Sequence, residues 1–503
     1  MPPCASPGAA YAGRGSYMAR SLGLSTSVTP TKSADDQARP LCVDLDGTLI
    51  ASDTLVESAI GTAVRGPRYI IGLLGSLRRG RPALKAYAAD HHIPDVTVLP
   101  YREDVLAALR DAKAAGRKLV LVTAADHRIA DAVAAHLALF DEVIATRDGV
   151  NLKGEAKAAA LVDRFGEGGF DYVGDTRADL SVWAKAKDAW VVEDGISAGA
   201  ISNAIRKVPA RRFPVTKPGL RAWVSGARLY QWVKNVLVFV PVVASGAMFS
   251  AEAMLLGIVA FVCFGLFASG TYMLNDLSDL DADRHHPRKR RRAFASGRIA
   301  PVRGLFAGPG LMALALVIAF AVKPLFAAVL LGYGVLTICY TMFLKTRPLV
   351  DVFALAALYC VRIVGGAAAT AIVPSIWLLS FSSFLFLALA LLKRFNELSR
   401  VGAGSGRRGY AEGEHMLLMV FGVASTFSSV IVFALYAESQ AAGLLYSQRE
   451  LLWGIVPLLL FWQSRLWLSA WRGYVDDDPI VYAAKDWVSW IAIALSGVLF
   501  LAS

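Results

Sequence analysis

Two carboxylates stand one residue apart in the run Asp44-Leu45-Asp46-Gly47-Thr48-Leu49, directly after an apolar stretch at 41–43. Side chains alternate along a strand with a period of two. Both carboxylates therefore face one side at the strand's C-terminal end, where doubly wound sheets bind ligands. A second apolar stretch ends at Thr123, Lys157 opens a helical stretch, and a later strand-length run ends in Gly174 and Asp175, with Asp179 nearby. This set offers a carboxylate to attack, carboxylates to hold Mg²⁺, and a hydroxyl and an ammonium to grip a phosphoryl group. His127, just past Thr123, reads as a surface histidine.

A second set lies far along the chain. Asn275, Asp276, Asp279 and Asp283 are spaced as NDxxDxxxD, which lines all four on one helical face and turns Asp281 away. A row of carboxylates at a membrane surface is costly unless a cation neutralises it, and hard oxygen donors select Mg²⁺. Basic groups recur in the same half: Lys234 in a QWxKN run (231–235), the segment from Tyr340 through Lys345, Arg362 within an apolar stretch, and Lys393, Arg394 and Glu397 in KRxxEL (393–398). Arg362 is too deep to snorkel easily and is expected to face the bundle interior. Cations of this kind bind phosphate oxygens directly. The acidic loop of Asp476, Asp477 and Asp478, with Asp486, faces the same side and reads as a solvated loop rather than a further wall of the site.

The elements that must position the first set alternate strand and helix. Strand-length apolar runs at 41–43, 119–122, 143–145, 172–173 and 190–192 are separated by helical stretches such as 103–115 and 154–165. That alternation predicts a mostly parallel, doubly wound α/β sheet. Residues 52–100 interrupt it as a helical insertion. Within it, the apolar run 69–77 followed by Arg78, Arg79 and Arg81 has a pattern that can touch lipid headgroups, but it is expected rather to pack on the domain. Residues 1–38, rich in Ala, Ser, Gly and Pro, are expected to be disordered, and 201–227 to form a basic linker.

The second set sits in a different solvent. With 55% hydrophobic and 18% charged residues the chain is too apolar for a soluble protein of 503 residues, and the apolar runs concentrate after residue 235. Nine membrane segments are predicted: 235–250, 253–274, 304–322, 325–344, 351–372, 375–392, 416–437, 451–468 and 485–502. The loops 275–303, 345–350, 393–414 and 465–485 carry most of the Lys and Arg, while the intervening turns carry almost none. The positive-inside rule then places the N-terminal domain and these loops in the cytoplasm and the C-terminus outside, in the inner membrane of a cell. The net charge of +12 follows largely from these loops, and no basic stripe interleaved with aromatics marks a nucleic-acid surface. The five cysteines show no metal-ligand spacing.

Over 40–200 the DxDGT run, Thr123, Lys157 and the GDxxxD run resemble the haloacid dehalogenase (HAD) phosphatase superfamily. The resemblance implies Asp44 as nucleophile, Asp46 as general acid and base, Thr123 and Lys157 as the phosphoryl clamp, and a metal set of Asp44, Asp175 and the supporting Asp179. Over 228–503 NDxxDxxxD resembles the first Asp-rich motif of the UbiA-type intramembrane prenyltransferase superfamily. That superfamily's second Asp-rich motif is replaced here by KRxxEL. Together with QWxKN and the fifth-segment Arg362, this is similar to the decaprenyl-phosphate phosphoribosyltransferase branch. The branch implies a polyprenyl phosphate acceptor and phosphoribosyl diphosphate as donor. Asn275, Asp276, Asp279 and Asp283 would hold Mg²⁺ on the leaving diphosphate. Lys234, Arg362, Lys393 and Arg394 would grip phosphates, with Tyr340, Lys345 and Glu397 on the substrate. A phosphatase fused to such a transferase is expected to remove the 5-phosphate of its product. Two other readings predict different outcomes: an allylic prenyltransferase acting on an aromatic or small acceptor, and an inert bundle tethering a phosphatase.

Overall fold

The computed structural model describes residues 39–147, 149–194, 208–215, 217–401, 409–411, 413–475 and 478–503; the N-terminal stretch expected to be disordered lies outside them. The first half builds one parallel sheet. Its strands are β1 (Leu41–Val43), β2 (Leu119–Asp126), β3 (Glu142–Thr146), β4 (Asp171–Gly174), β5 (Ala189–Asp194) and β6 (Arg211–Val215), in the order β3-β2-β1-β4-β5-β6. Leu41 and Val43 pack with Leu119 and Leu121 in one core, while Cys42 packs with Val120 and Val122 in the other. Alternate residues of each strand thus enter opposite layers, and a sheet buried on both faces reads as an unbroken apolar run.

The sixth strand corrects the expected linker, because Arg211–Val215 pairs parallel with β5. Its sequence, RRFPV, hides the strand: only Phe213 is buried, packed against Trp190, and the other four residues are partly or fully exposed. A proline is tolerated on an edge strand, and an edge strand needs only one buried side chain.

The helical insertion forms as expected, as α1 (Thr54–Val64), α2 (Pro67–Arg78) and α3 (Arg81–His91). Asp53 caps α1 by accepting from the Val56 amide at 3.0 Å. The apolar run 69–77 does not pack away as expected. Ile70, Ile71, Leu74 and Leu77 on α2 are exposed, and it is Ser76 that turns inward.

The second half is an all-α bundle. Among the described residues seven helices are long and apolar enough to cross a membrane: Ala251–Ser278, Pro301–Val322, Pro324–Met342, Val350–Thr370, Ile376–Ser399, Glu414–Ala437 and Arg449–Trp471. The pair Pro479–Lys485 and Trp487–Ala502, bent by 82°, passes the same test only when taken together, as a broken span or a re-entrant loop. The first expected segment, 235–250, is a short broken piece, a 3₁₀ stretch Leu229–Phe239 running into Val240–Ala244. At 16 residues Leu229–Ala244 is shorter than the roughly 20 of a spanning α-helix, yet it runs antiparallel along Ala251–Ser278, with Arg228 at Asp276, Trp232 at Gly265 and Phe239 at Gly257, and so carries the chain across as a broken crossing. The chain is therefore a multi-pass membrane protein.

The halves are joined by more than the connector. The Arg284 guanidinium forks onto Glu57 of α1 at 2.7 and 2.8 Å, with both side chains almost fully buried. His285 meets Asp95 at 2.8 Å and His92 meets Asp281 at 3.2 Å. Ile60 of α1 packs on a bundle cluster that includes Met273, Leu277 and Phe294. Gly297, with φ +71°, lies so close to Pro100 and Ala51 that a Cβ there would stand 2.8 and 3.1 Å from theirs.

Candidate functional site

The sheet register levels three strand ends. Val43 pairs with Leu121 on one side and with Val173 on the other. Asp44, Thr123 and Asp175 thus emerge together at the carboxyl edge, and the Asp44 amide donates to the Val173 carbonyl at 3.0 Å. Asp44, Asp175 and Asp179 each bring a carboxylate oxygen within 4.8 Å of the others, the one such cluster among the described residues. Three hard oxygen donors at that spacing fit a divalent cation.

Lys157 lies against this cluster, 2.9 Å from Asp44 and 3.6 Å from Asp179. Its ammonium donates to the Tyr172 hydroxyl at 2.8 Å, which in turn donates to Asp179 at 2.8 Å. Asp179 also caps the turn after β4 by accepting from Thr176. Asp179 is therefore braced from two sides within the cluster. Thr123 is fully buried, and its hydroxyl accepts from the Ala125 amide at 3.0 Å.

Asp46 stands apart, accepting from the Thr54 amide at 2.7 Å. Burial, reinforced by the Asp53 carboxylate, pushes Asp46 up to about 8, and it therefore holds a proton at neutral pH. That suits a general acid. Burial likewise raises Asp44 and Asp175; the Lys157 charge opposes the shift on Asp44, while the Asp44 charge adds to that on Asp175. Gly47, at φ +80°, is a steric necessity, since a Cβ there would lie 2.2 Å from an Asp175 oxygen. Thr48 donates to Asp175 at 3.1 Å. His127 is part-exposed beside Asp126, away from the cluster, as expected.

Sequence reasoning passed over four neighbours of this site: Tyr172, Thr48, Arg102 and Lys85. Arg102 donates to the Gly47 carbonyl at 3.0 Å, and Lys85 from α3 donates to Ala124 and Asn151 at 2.5 and 2.6 Å. The site opens into a cleft of about 570 Å³. One wall carries Asp46, Asp175 and Arg102, and the opposite wall is the bundle loop with Ser296, Arg298 and Arg303.

In the bundle, Asp276 and Asp283 converge on one nitrogen, Nη1 of Arg292, at 3.1 and 2.6 Å. Asp276 is also paired with Arg228. Asn275 donates to Asp279 across one turn at 3.4 Å. Asp276 and Asp283 therefore meet at a guanidinium, while Asp279 is held by Asn275 and does not close a three-carboxylate cluster with them among the described residues. Asp281 turns away to His92, as the spacing predicted.

The predicted phosphate grips separate into two kinds. Lys234 and Lys393 both reach Asp478, at 2.5 and 3.5 Å. Asp478 is thus a nearly buried member of the site, in contrast to the solvated loop expected, while Asp476 and Asp477 lie outside the described residues. Asp486 belongs to a structural pair with Arg465 at 2.6 Å.

Arg362 faces the interior as its depth requires. Its nitrogens bond the Asn235 side chain at 3.0 Å, the Leu358 carbonyl and the Tyr333 hydroxyl at 3.0 Å. Arg394 is fully buried between Asp351, at 2.6 Å, and Glu397. These two arginines are spoken for by protein groups, whereas Lys393 is partly open. Trp232 of QWxKN lies over Gly265 and donates to Ser269 at 3.0 Å, which holds Lys234 and Asn235 in place. Tyr340 is half-buried in the core of the bundle, and Lys345 sits on the 3₁₀ turn Leu344–Thr346 at the basic end.

Comparison with known proteins gives both halves a family. Residues 236–501 match the UbiA prenyltransferase family, and residues 41–183 match haloacid dehalogenase-like hydrolases. The uncharacterized protein y4nM of Sinorhizobium fredii is 38% identical over 477 residues, covering 93% of this chain and 91% of that protein. Nodulation protein NoeC of Azorhizobium caulinodans is 31% identical over 287 residues, 56% of this chain and 92% of its own. Decaprenyl-phosphate phosphoribosyltransferase of Mycolicibacterium smegmatis is 32% identical over 295 residues, 55% of this chain and 92% of its own.

Proposed function

The chain belongs to the UbiA prenyltransferase family and carries a haloacid dehalogenase-like hydrolase domain, and from that premise we propose that its bundle transfers phosphoribose from phosphoribosyl diphosphate to a polyprenyl phosphate. Three features support this donor over an allylic diphosphate. The place of a second Asp-rich motif is taken by Lys393 and Arg394. Lys234 and Lys393 flank Asp478 as a cationic pocket. A relative matched over 92% of its length is named for this transfer.

A phosphate oxygen of the lipid attacks ribose C1 while the bond from C1 to the diphosphate breaks, and the diphosphate leaves with the electron pair. Asn275, Asp276, Asp279 and Asp283 would hold Mg²⁺ near the leaving group, and Lys234 and Lys393 orient the phosphates. Mg²⁺, when bound, neutralises charge on the diphosphate here and on the phosphoryl group at Asp44, Asp175 and Asp179. The remaining work is positioning and charge stabilisation.

The phosphatase domain then acts on the product. Asp44 attacks the 5-phosphate, the P–O5 bond breaks, and Asp46 gives its proton to O5. Water, deprotonated by Asp46, releases phosphate from the aspartyl-phosphate. The observation that carries this pairing is the shared cleft: its far wall is the bundle loop next to the carboxylate motif, so the phosphatase faces the transferase. Polyprenyl-phosphoryl ribose is the final product in this reading.

Orientation follows from charge. The basic loops and the N-terminal domain lie on the cytoplasmic side by the positive-inside rule. The C-terminus is read as outside, at the turn opposite the basic loops, where the Ser503 carbonyl accepts from the Gln448 amide at 2.6 Å.

The test is to incubate the purified protein with Mg²⁺, ribose-labelled phosphoribosyl diphosphate and polyprenyl phosphates of several lengths, then weigh the lipid. Lipid carrying ribose without a 5-phosphate supports both domains' roles. Lipid carrying phosphoribose supports only the transferase. Absence of labelled lipid, with transfer from an allylic diphosphate to an aromatic acceptor, overturns the reading.

A further inference from the structure

We infer that helix α2 of the phosphatase insertion is a membrane-surface anchor, lying in the headgroup layer of anionic lipid beside the bundle. The helix carries Ile70, Ile71, Leu74 and Leu77 at 42%, 71%, 58% and 52% exposure. Positions 70, 74 and 77 fall three or four apart and 71 adjoins 70 and 74, so the four form one stripe on one face. Val64, at the end of α1, adds a fifth exposed apolar side chain at 51%. Among the described residues nothing else in the domain covers them: the opposite face of α2 is the one that packs, through Ser76 inward and Gly72 under the Tyr87 ring.

Arginines flank the stripe. Arg65 and Arg68 stand at its N-terminal side and Arg78, Arg79 and Arg81 at its C-terminal side, all exposed, with Asp and Glu absent from 65–81. An apolar stripe between cationic ends is the pattern of a helix that lies in the interface plane and takes anionic headgroups. A protein partner of ordinary composition has no comparable call on five guanidinium groups.

Position supplies the independent argument. The preceding helix α1 packs through Ile60 on Met273, Leu277 and Phe294 at the end of the Ala251–Ser278 span, where that span leaves the membrane. Its Glu57 is fixed to Arg284 just beyond the same end. With only Arg65 and Gly66 between the helices, α2 is held close to the membrane surface whether or not it touches lipid. Anchoring there would keep the phosphatase cleft against the bundle loop. The inference is independent of which ester the phosphatase cleaves.

The experiment uses the full chain in liposomes of phosphatidylcholine and phosphatidylglycerol. Single cysteines are introduced as Ile71→Cys or Leu74→Cys, with Glu155→Cys on an exposed helix as the aqueous reference, in a chain whose five native cysteines are replaced by alanine. Each is spin-labelled, and collisions with oxygen and with a water-soluble nickel chelate are measured. The expected result at 71 and 74 is a ratio of oxygen to nickel collisions severalfold above that at 155, falling when the anionic lipid is omitted. A ratio at 71 and 74 equal to that at 155 overturns the inference. Labels shielded from both reagents overturn it too, because they place the stripe against protein.

Discussion

The Arg284–Glu57 pair is the sharpest lever on how the two domains communicate. Both side chains are nearly fully buried, and the guanidinium forks onto both carboxylate oxygens at 2.7 and 2.8 Å. Replacing one partner by methionine, Glu57→Met or Arg284→Met, leaves the other charge in a dry interface. Breaking a buried pair in this way costs about 3–5 kcal/mol. The domains meet this cost by parting, so the loss appears as opening of the interface. Each 1.36 kcal/mol is tenfold in an equilibrium, so either single variant raises the open population at least about a hundredfold. The double variant differs in kind. With both charges gone, the residual cost is two orphaned partners, the Ser52 hydroxyl on Glu57 and the Ala295 carbonyl on Arg284. That comes to about 1–2 kcal/mol, or about tenfold. Hydrogen exchange read by mass spectrometry on peptides covering 54–64 and 280–299 measures the opening directly. Both peptides are expected to exchange faster together in each single variant and to recover most of their protection in the double variant. Exchange in the double variant as fast as in the faster single variant would refute the reasoning, since it would mean that the pair is not coupled.

Four further outcomes follow from the sites. Asp44→Asn removes the nucleophile and is expected to lower phosphate release by about 10³-fold or more, while lipid-linked phosphoribose still accumulates and is seen by mass spectrometry. Chelation by EDTA is expected to abolish phosphate release, and excess Mg²⁺ to restore it, because the single Lys157 ammonium cannot offset the three carboxylates of Asp44, Asp175 and Asp179 together with a phosphoryl group. Asp276→Asn is expected to slow labelled-lipid formation about a hundredfold with an unchanged gel-filtration profile, whereas an inert bundle would show no change. Neighbours in KRxxEL should behave differently: Lys393→Ala raises the donor KM about 10–100-fold. Arg394→Met instead strips a fully buried charge from Asp351 and lowers the yield of folded protein.

What was readable in the chain divides along a physical line. Residues whose role depends on local geometry declared themselves. Asp44 and Asp46 follow a strand, Asp175 ends another, and parallel register brings the ends level without any further information. The NDxxDxxxD spacing placed Asp276 and Asp283 on one face, and they do converge on one nitrogen. Residues whose role depends on a distant partner stayed silent. Glu57 and Arg284 are 227 positions apart, and neither sits in a pattern that chemistry requires. Asp478 looked solvated because its acidic neighbours dominate the local composition, yet Lys234, 244 positions away, makes it part of the site.

Lys393 and Arg394 show the limit most sharply. Consecutive helical residues point about 100° apart, so one of two adjacent cations is driven toward the interior and the other is not. Composition cannot tell which. Asp351 decides it, because a carboxylate buried on the neighbouring helix selects the planar guanidinium and leaves the ammonium for ligand. The same reasoning applies to α2, whose apolar run offered either the domain or lipid headgroups as its cover. An apolar run in a soluble-looking domain is expected to find a core, but this domain is docked at a membrane, and there a second apolar phase is within reach of the helix.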